Sequence, residues 1–416
     1  MEPATTPHID RRSVVSVFSR LRTSKGQTNP SPLYGELRTM GGIIPAPWGG
    51  YLVTSFDLCD QVLRDRDWLE PDARWRARQG EGTRWNAVSS REMSRTLAGL
   101  NPPDHTRVRR SVGTMFDRTA LLALRTSISD ITGGLLDRLA GRLHDGEADF
   151  HDLVSEELPV LTIGRWLGLP AADYPYLREL THDQVFAQEL LPSASQLARS
   201  DAATKQLRSY FTALVRERRG RPGADPISGW IRVWDAMEAD REAADEGVYF
   251  LALFVLLAAL ETTSTLLSTM MWLLLKHQRQ WDWLRAHPDH VPGAVEEVLR
   301  YDSPTHVISR VAAADGVLAG FPVAADEMVH LMVGAANHDP DKHLDAHLFD
   351  VRRRAAHLSF SGGIHYCLGA PLARLEAQTL LHGMLSRFPY ATLVREPVWA
   401  PRVAFRRIMS LPIARV

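Results

Sequence analysis

Apolar positions along this chain recur mostly at helical spacing, and strict alternation is confined to short stretches towards its two ends. "GGYLVTSF" at 49–56 alternates and predicts a strand, and "DLCDQVLRD" behind it predicts a short helix. Helical patterning holds over 104–145, through "SEELPVLTIGRWLGLP" up to a stop at Pro170, and over 175–218. The polar loop "GRPGADP" follows, then a long helix over roughly 243–276 and a shorter one over 291–301. Beyond 310, "GVLAGFPVAADEMVHLMVGAAN" predicts short strands. The tail after Cys367 is helical to about 388, and two strand-like segments close the chain.

Two regions lack a period. The first 45 residues read as polar and turn-like, with 1–30 a flexible lead. The Arg-, Gly- and Trp-rich stretch "EPDARWRARQGEGTRWNAVSSREM" is irregular, and so long an irregular segment inside a compact protein is more often functional than decorative. With no repeat and no long linker, the pattern predicts one domain over 1–416, mainly α with small β-sheets.

Composition narrows this picture. The 416 residues are 45% hydrophobic and 23% charged, enough for a large core. A net charge of -1 carries no nucleic-acid signal. Two cysteines exclude a disulfide framework and point to a reducing compartment, the cytoplasm. Cys59 lies on the apolar side of its helix with Val62 and Leu63 and reads as a packed core thiol. The N-terminus lacks the pattern of a secretory signal. The apolar run "VYFLALFVLLAAL" (248–260) is short for a membrane span and ends at Glu261, so it predicts a buried core helix. Of 48 basic residues only four are lysines, a usage that fits a GC-rich bacterial genome.

The chemistry concentrates around Cys367, in "FSGGIHYCLGA" (360–370). Three readings compete: a buried core thiol, a zinc ligand beside His365, and an axial thiolate for haem iron. Zinc needs four ligands, and the only other cysteine is far away in sequence. Gly362, Gly363 and Gly369 remove side chains where a flat cofactor must approach the backbone. Cys367 also precedes the amphipathic stretch "LGAPLARLEAQTLL", so a helix N-terminus can stabilise the thiolate and lower its pKa. These neighbours favour the haem thiolate.

"FSGGIHYCLG" resembles the haem-ligand signature of the cytochrome P-450 family, Phe-x-x-Gly-x-His-x-Cys-x-Gly, and matches each fixed position: Phe360, Gly363, His365, Cys367 and Gly369. The resemblance extends from about residue 45 to the C-terminus. It implies the family's prism of helices around haem b, with Cys367 as iron ligand, and resembles soluble actinobacterial members that tailor natural products.

Three further stretches carry the resemblance. "EEVLR" puts Glu297 and Arg300 on one helix face, like the family's Glu-x-x-Arg pair behind the haem. Arg353 matches the third partner, with Arg352 and Arg354 as competitors in a stretch one residue shorter than usual. His105, Arg109, Arg310 and His357 match cations for the haem propionates, which need charge-assisted donors. "LAALETTST" resembles the oxygen-activation segment. There Ala258 faces the haem, Glu261 and Thr262 are the acid and alcohol of a proton relay, and Ala259 replaces the usual glycine.

By family position, substrate contacts fall on Trp85, Asn86, Val88, Met93, Phe186, Phe254, His306, Val307 and Ile408. The chain carries no flavin or iron–sulfur module, so the resemblance implies electrons from a ferredoxin and its reductase. A rim of Arg110, Arg353, Arg354 and Arg374 is a candidate docking face. The implied reaction is oxidation, chiefly hydroxylation, of a small organic substrate by dioxygen. Ring closure, coupling or desaturation by the same oxidant stands as the alternative, and a catalytically inactive recruitment module as another.

Overall fold

The computed structural model describes residues 10–80, 82–113, 118–354 and 356–415. Three helices open the chain, α1 (Arg11–Leu21), α2 (Ser24–Thr28) and α3 (Ser31–Met40). They are not a flexible lead. Val14, Val17, Phe18 and Leu21 share one face of α1 and are buried, while Gln27 accepts from the buried Arg406. The helical period was hidden by the polar majority of that segment.

Strands β1 (Ile43–Pro45), β2 (Tyr51–Val53) and β3 (Trp68–Leu69) flank α4 (Phe56–Arg64). Cys59 is fully buried on α4, and its thiol is pushed up by burial, as for a packing residue. The irregular 70–100 stretch breaks into α5 (Ala73–Ala77), α6 (Val88–Ser94) and single 3-10 turns at Arg84–Asn86 and Leu97–Gly99. Then come α7 (Asp104–Gly113), α8 (Arg118–His144), β4 (Glu147–Asp149), α9 (Glu157–Leu167), α10 (Tyr174–Gln184), α11 (Ala194–Gly220) and α12 (Pro226–Met237). Gly168, at φ 69, ends α9 before Pro170 is reached.

The apolar run lies within α13 (Arg241–Lys276), whose N-terminus is capped by the Asp240 carboxylate. A helix apolar on all sides must be wrapped by others. By length and composition it is able to cross a membrane, yet 78% of its most apolar window is buried inside the protein. Its N-terminal half packs on α9, α11 and α12, and its C-terminal half on two later helices, Val291–Tyr301 and Ala370–Arg387.

Helices α14 (Gln278–Ala286) and α15 (Val291–Tyr301) precede β5 (Ile308–Ala312), β6 (Gly316–Leu318), β7 (Phe321–Val323), β8 (Met328–Leu331) and α16 (Val333–Ala336). The main sheet has strand order β1-β2-β8-β5-β3, and only β2 and β8 pair in parallel. α17 (Ala370–Arg387) leads into β9 (Ala391–Leu393), β10 (Val398–Trp399), β11 (Ile408–Ser410) and β12 (Pro412–Arg415). A cavity of about 410 Å³ lies between α13 and the loop that enters α17, with β5 along its side.

Candidate active site

Cys367 sits in the turn before α17. Its backbone N–H donates to the Phe360 carbonyl at 2.9 Å, which closes the loop on itself. The backbone N–H groups of Gly369 and Ala370 lie near enough to the sulfur to favour its charged form. Burial pushes the thiol up despite those donors and despite Arg109 and Arg374 nearby, so the helix end alone does not lower it. Gly363 also meets a need within the protein itself. At φ 60, a Cβ there would lie 2.4 Å from the Leu63 carbonyl oxygen, so this glycine lets the ligand loop rest on α4. Gly369 lines the cavity, as do Phe360 and Cys367.

Opposite the sulfur, α13 presents Ala258, Ala259, Glu261 and Thr262. The Thr262 hydroxyl donates to the Ala258 carbonyl at 2.7 Å, one turn back. Glu261 is buried and turned away from Thr262, into Arg402, Arg407 (2.6 Å) and His182 (2.8 Å). Burial pushes its carboxyl up, but Arg402, Arg407 and His182 together hold it down to about 2.

His105, Arg109, Arg310 and His365 converge on one edge of the cavity. The rings of His105 and His365 lie 4.3 Å apart, and burial brings the first down to about 4 and the second to about 2. Arg109 donates to the Tyr366 carbonyl at 2.8 Å, and Arg310 pairs with Glu70 at 2.5 Å. His357 does not join them. It contacts Glu296 at 3.2 Å, beside Arg374, which grips the same carboxylate twice at 2.7 Å. Glu296, next to Glu297 on α15, draws both cations away from the cavity.

Behind the loop, Glu297 and Arg300 are fully buried and joined by two bonds of 2.7 and 2.8 Å. Arg300 also donates to the carbonyls of Asn337, Ala346 and Leu348. Arg353 reaches Glu297 at 3.3 Å, whereas Arg352 pairs with Asp350, so Arg353 is the third member.

Of the nine substrate positions, Trp85, Met93, Phe254 and Val307 line the cavity. The other five lie outside its wall. Asn86 donates to the Gln79 and Gly80 carbonyls, and Val88 starts α6. Phe186 is covered by the Arg199 and Arg402 guanidiniums. His306 is buried between Tyr34 and Asp302, and Ile408 belongs to the core. The sequence reading passed over Glu70, Arg76, Arg84, Leu372 and Glu376, all on the wall. Leu372 and Glu376 are one turn apart on α17, a spacing that was readable; buried arginines look like surface until the fold places them.

The residues fit a haem. His105 Nε2 is buried and has no partner among the described residues, as expected of a nitrogen left for a ligand. Among the described residues no group of three or more His, Cys, Asp or Glu side chains could hold a bare metal ion. A single thiolate facing an apolar slot, with cations at one edge, matches a metal that brings its other ligands in a carboxylate-bearing macrocycle.

Fold and site therefore define a helical haem-thiolate protein. A cytochrome P450 family model matches residues 183–400. The chain is 32% identical over 394 residues to the cytochrome P450 monooxygenase PikC of Streptomyces venezuelae, covering 92% of this chain and 91% of that protein. It is 33% identical over 392 residues to 6-deoxyerythronolide B hydroxylase of Saccharopolyspora erythraea, covering 91% and 94%. Among solved structures, Mycobacterium smegmatis CYP164A2 superimposes with a TM-score of 0.84 at 30% identity, covering 97% of this chain and 100% of that one. P450BioI, solved with an acyl carrier protein bearing hexadec-9Z-enoic acid, gives a TM-score of 0.87 at 28% identity, covering 94% and 100%. The chain belongs to the cytochrome P450 family: it is a haem-thiolate monooxygenase whose cofactor is protohaem.

Proposed function

We propose that this enzyme hydroxylates a small organic molecule in secondary metabolism, with Cys367 as iron ligand. The observation that carries the reading is that Cys367, Ala258 and Thr262 line one and the same cavity. When bound, the haem supplies dioxygen reduction and the oxidant for a C–H bond. In the overall reaction the C–H bond gives way to C–O–H, and the second oxygen leaves as water with two protons and two electrons.

The chain's own residues supply the rest. His105, Arg109, Arg310 and His365 hold the propionate edge. Apolar Trp85, Met93, Phe254 and Val307 exclude water and orient the substrate. Thr262 passes protons at its hydroxyl, and Glu261 replenishes them once its carboxylate swings out of the Arg402–Arg407 clamp. Names of relatives such as 6-deoxyerythronolide B hydroxylase support a tailoring role. Ferredoxin and reductase donors in the cytoplasm belong to this reading, since the family needs redox partners. On the ligand side Arg110 and Arg354 are exposed, while Arg353 and Arg374 are tied to Glu297 and Glu296, which leaves the first two as the docking cations.

The test is the ferrous carbonyl spectrum. Haem-loaded protein shows the red-shifted Soret band that gives the family its number, and Cys367→Ser abolishes it. A folded, haem-loaded wild type lacking that band overturns the ligand assignment. Thr262→Ala keeps the band and diverts electrons to hydrogen peroxide, and Thr262→Ser restores coupling. Unaltered coupling in Thr262→Ala removes that hydroxyl from the relay.

A further inference from the structure

The cavity wall holds two cations that the reaction does not use. Arg76 and Arg84 both contact the Trp85 ring, at 5.1 and 3.9 Å from its centroid, and all three side chains line the cavity. A guanidinium has five N–H donors. Among the described residues Arg76 places one, on the Pro71 carbonyl at 2.7 Å, and Arg84 places one, on the Glu189 carbonyl. Neither makes an ion pair with a described carboxylate. Both are half-buried, and burial brings each down to about 10.

Two described carboxylates lie near this pair. Glu70 pairs with Arg310 and lies within electrostatic reach of Arg76. Glu189 turns one oxygen to the backbone N–H groups of Leu190, Val403 and Ala404, while its second oxygen is buried without a partner among the described residues and lies within electrostatic reach of Arg84. Arg76 thus has Glu70 within electrostatic reach and Arg84 has Glu189, yet among the described residues neither guanidinium is in contact with a carboxylate. A desolvated charge without a partner is costly to keep, and a wall facing an apolar chamber is where a ligand can supply the partner.

We propose that the Arg76–Trp85–Arg84 stack is a carboxylate subsite, so that the substrate is an organic acid held by Arg84 at its anionic end while its apolar part lies over the iron. This rests on the haem-thiolate reading, because the substrate's reacting carbon must face Cys367 across the cavity. The competing source of a carboxylate is the haem itself, but four other side chains already stand at the propionate edge.

The test uses imidazole-tipped alkanoic acids of graded chain length and the alcohols of equal length. The imidazole anchors each probe to the iron, and the tail samples the wall. Spectral titration of the haem-loaded enzyme is expected to show the best-fitting acid binding about tenfold or more tighter than its alcohol. Arg84→Gln removes that preference and leaves alcohol affinity in place, while Arg84→Lys retains most of it. Equal binding of acids and alcohols at every length overturns the subsite, with no variant needed. So does an acid preference that survives Arg84→Gln. Loss of haem stoichiometry in both Arg84 variants makes Arg84 a propionate clamp instead and overturns it too. The ferrous carbonyl band, recorded on the same samples, reports separately on the haem-thiolate reading.

Discussion

Glu261 meets His182 at 2.8 Å, and the other nitrogen of that imidazole reaches Glu156 at 2.7 Å. The acid of the relay is therefore one end of a buried carboxylate–imidazole–carboxylate row, clamped by Arg402 and Arg407. Its carboxyl is held at about 2 against an ordinary value of 4.5, so its stabilisation is present above 4.5 and is lost as pH falls towards about 2. His182 runs the other way. Burial lowers it, the two carboxylates more than compensate, and its contribution is full below 6.5 and lost as pH rises through the raised value. Glu261→Gln leaves two buried guanidiniums short of a carboxylate. It should lower unfolding free energy by about 3–5 kcal/mol at neutral pH, read from denaturant melts, with the deficit shrinking in acid. An unshifted midpoint would show that the clamp carries no stability.

The Glu297–Arg300 pair invites a sharper substitution. Arg300 makes five hydrogen bonds through a planar fork, to both oxygens of one carboxylate and to three carbonyls. Lysine offers a point charge and cannot span them. Arg300→Lys should lose about 3 kcal/mol or more and release haem on gel filtration, although the charge is kept. Retention of haem at wild-type stoichiometry would reduce the pair to ordinary packing.

Much of this site was legible because its chemistry is written in adjacent residues. The Cys367 loop, the Glu297–Arg300 spacing and the apolar run of α13 each depend on local pattern, and each stands where expected. His357 was readable as a cation but not as a partner of Glu296, because that contact joins segments 61 residues apart. Asn86, Val88 and Phe186 went astray for a related reason. They sit where the chain direction is set by tertiary contacts, such as the Arg84 bond to Glu189, and no period marks which side chains turn inward. Gly363 was singled out to make room for the cofactor, and its missing Cβ also clears Leu63, a need set by a tertiary contact that the sequence does not display.

Ser361 offers a test of strain in the ligand loop. It holds φ 60, and its hydroxyl is buried without a partner. An L-residue in that region costs roughly 1–2 kcal/mol relative to glycine, offset in part by the greater freedom glycine has in the unfolded chain. Ser361→Gly should therefore raise the melting temperature modestly and leave the ferrous carbonyl band unmoved. A drop in stability would mean that the serine side chain contributes a bond worth more than the strain.

Glu376 stands one turn beyond Leu372 on the cavity wall, and burial pushes its carboxyl up to about 8 from 4.5. The folded state thus binds a proton that the unfolded chain releases near 4.5, so stability falls as pH rises from 4.5 to about 8. At neutral pH the group is mostly a neutral acid, for which glutamine is a close match in shape and charge. Glu376→Gln should leave the melting temperature near wild type at about pH 5 and exceed it at about pH 9, where wild type must hold a buried carboxylate. Thr162 is the one side chain that favours its charged form, and a glutamine amide oxygen can accept from that hydroxyl as well, so the substitution keeps this contact. If instead Glu376→Gln is destabilised at high pH, the carboxylate is ionised and paired in the folded protein, and a cation brought within reach by the loaded cofactor edge becomes the group to find.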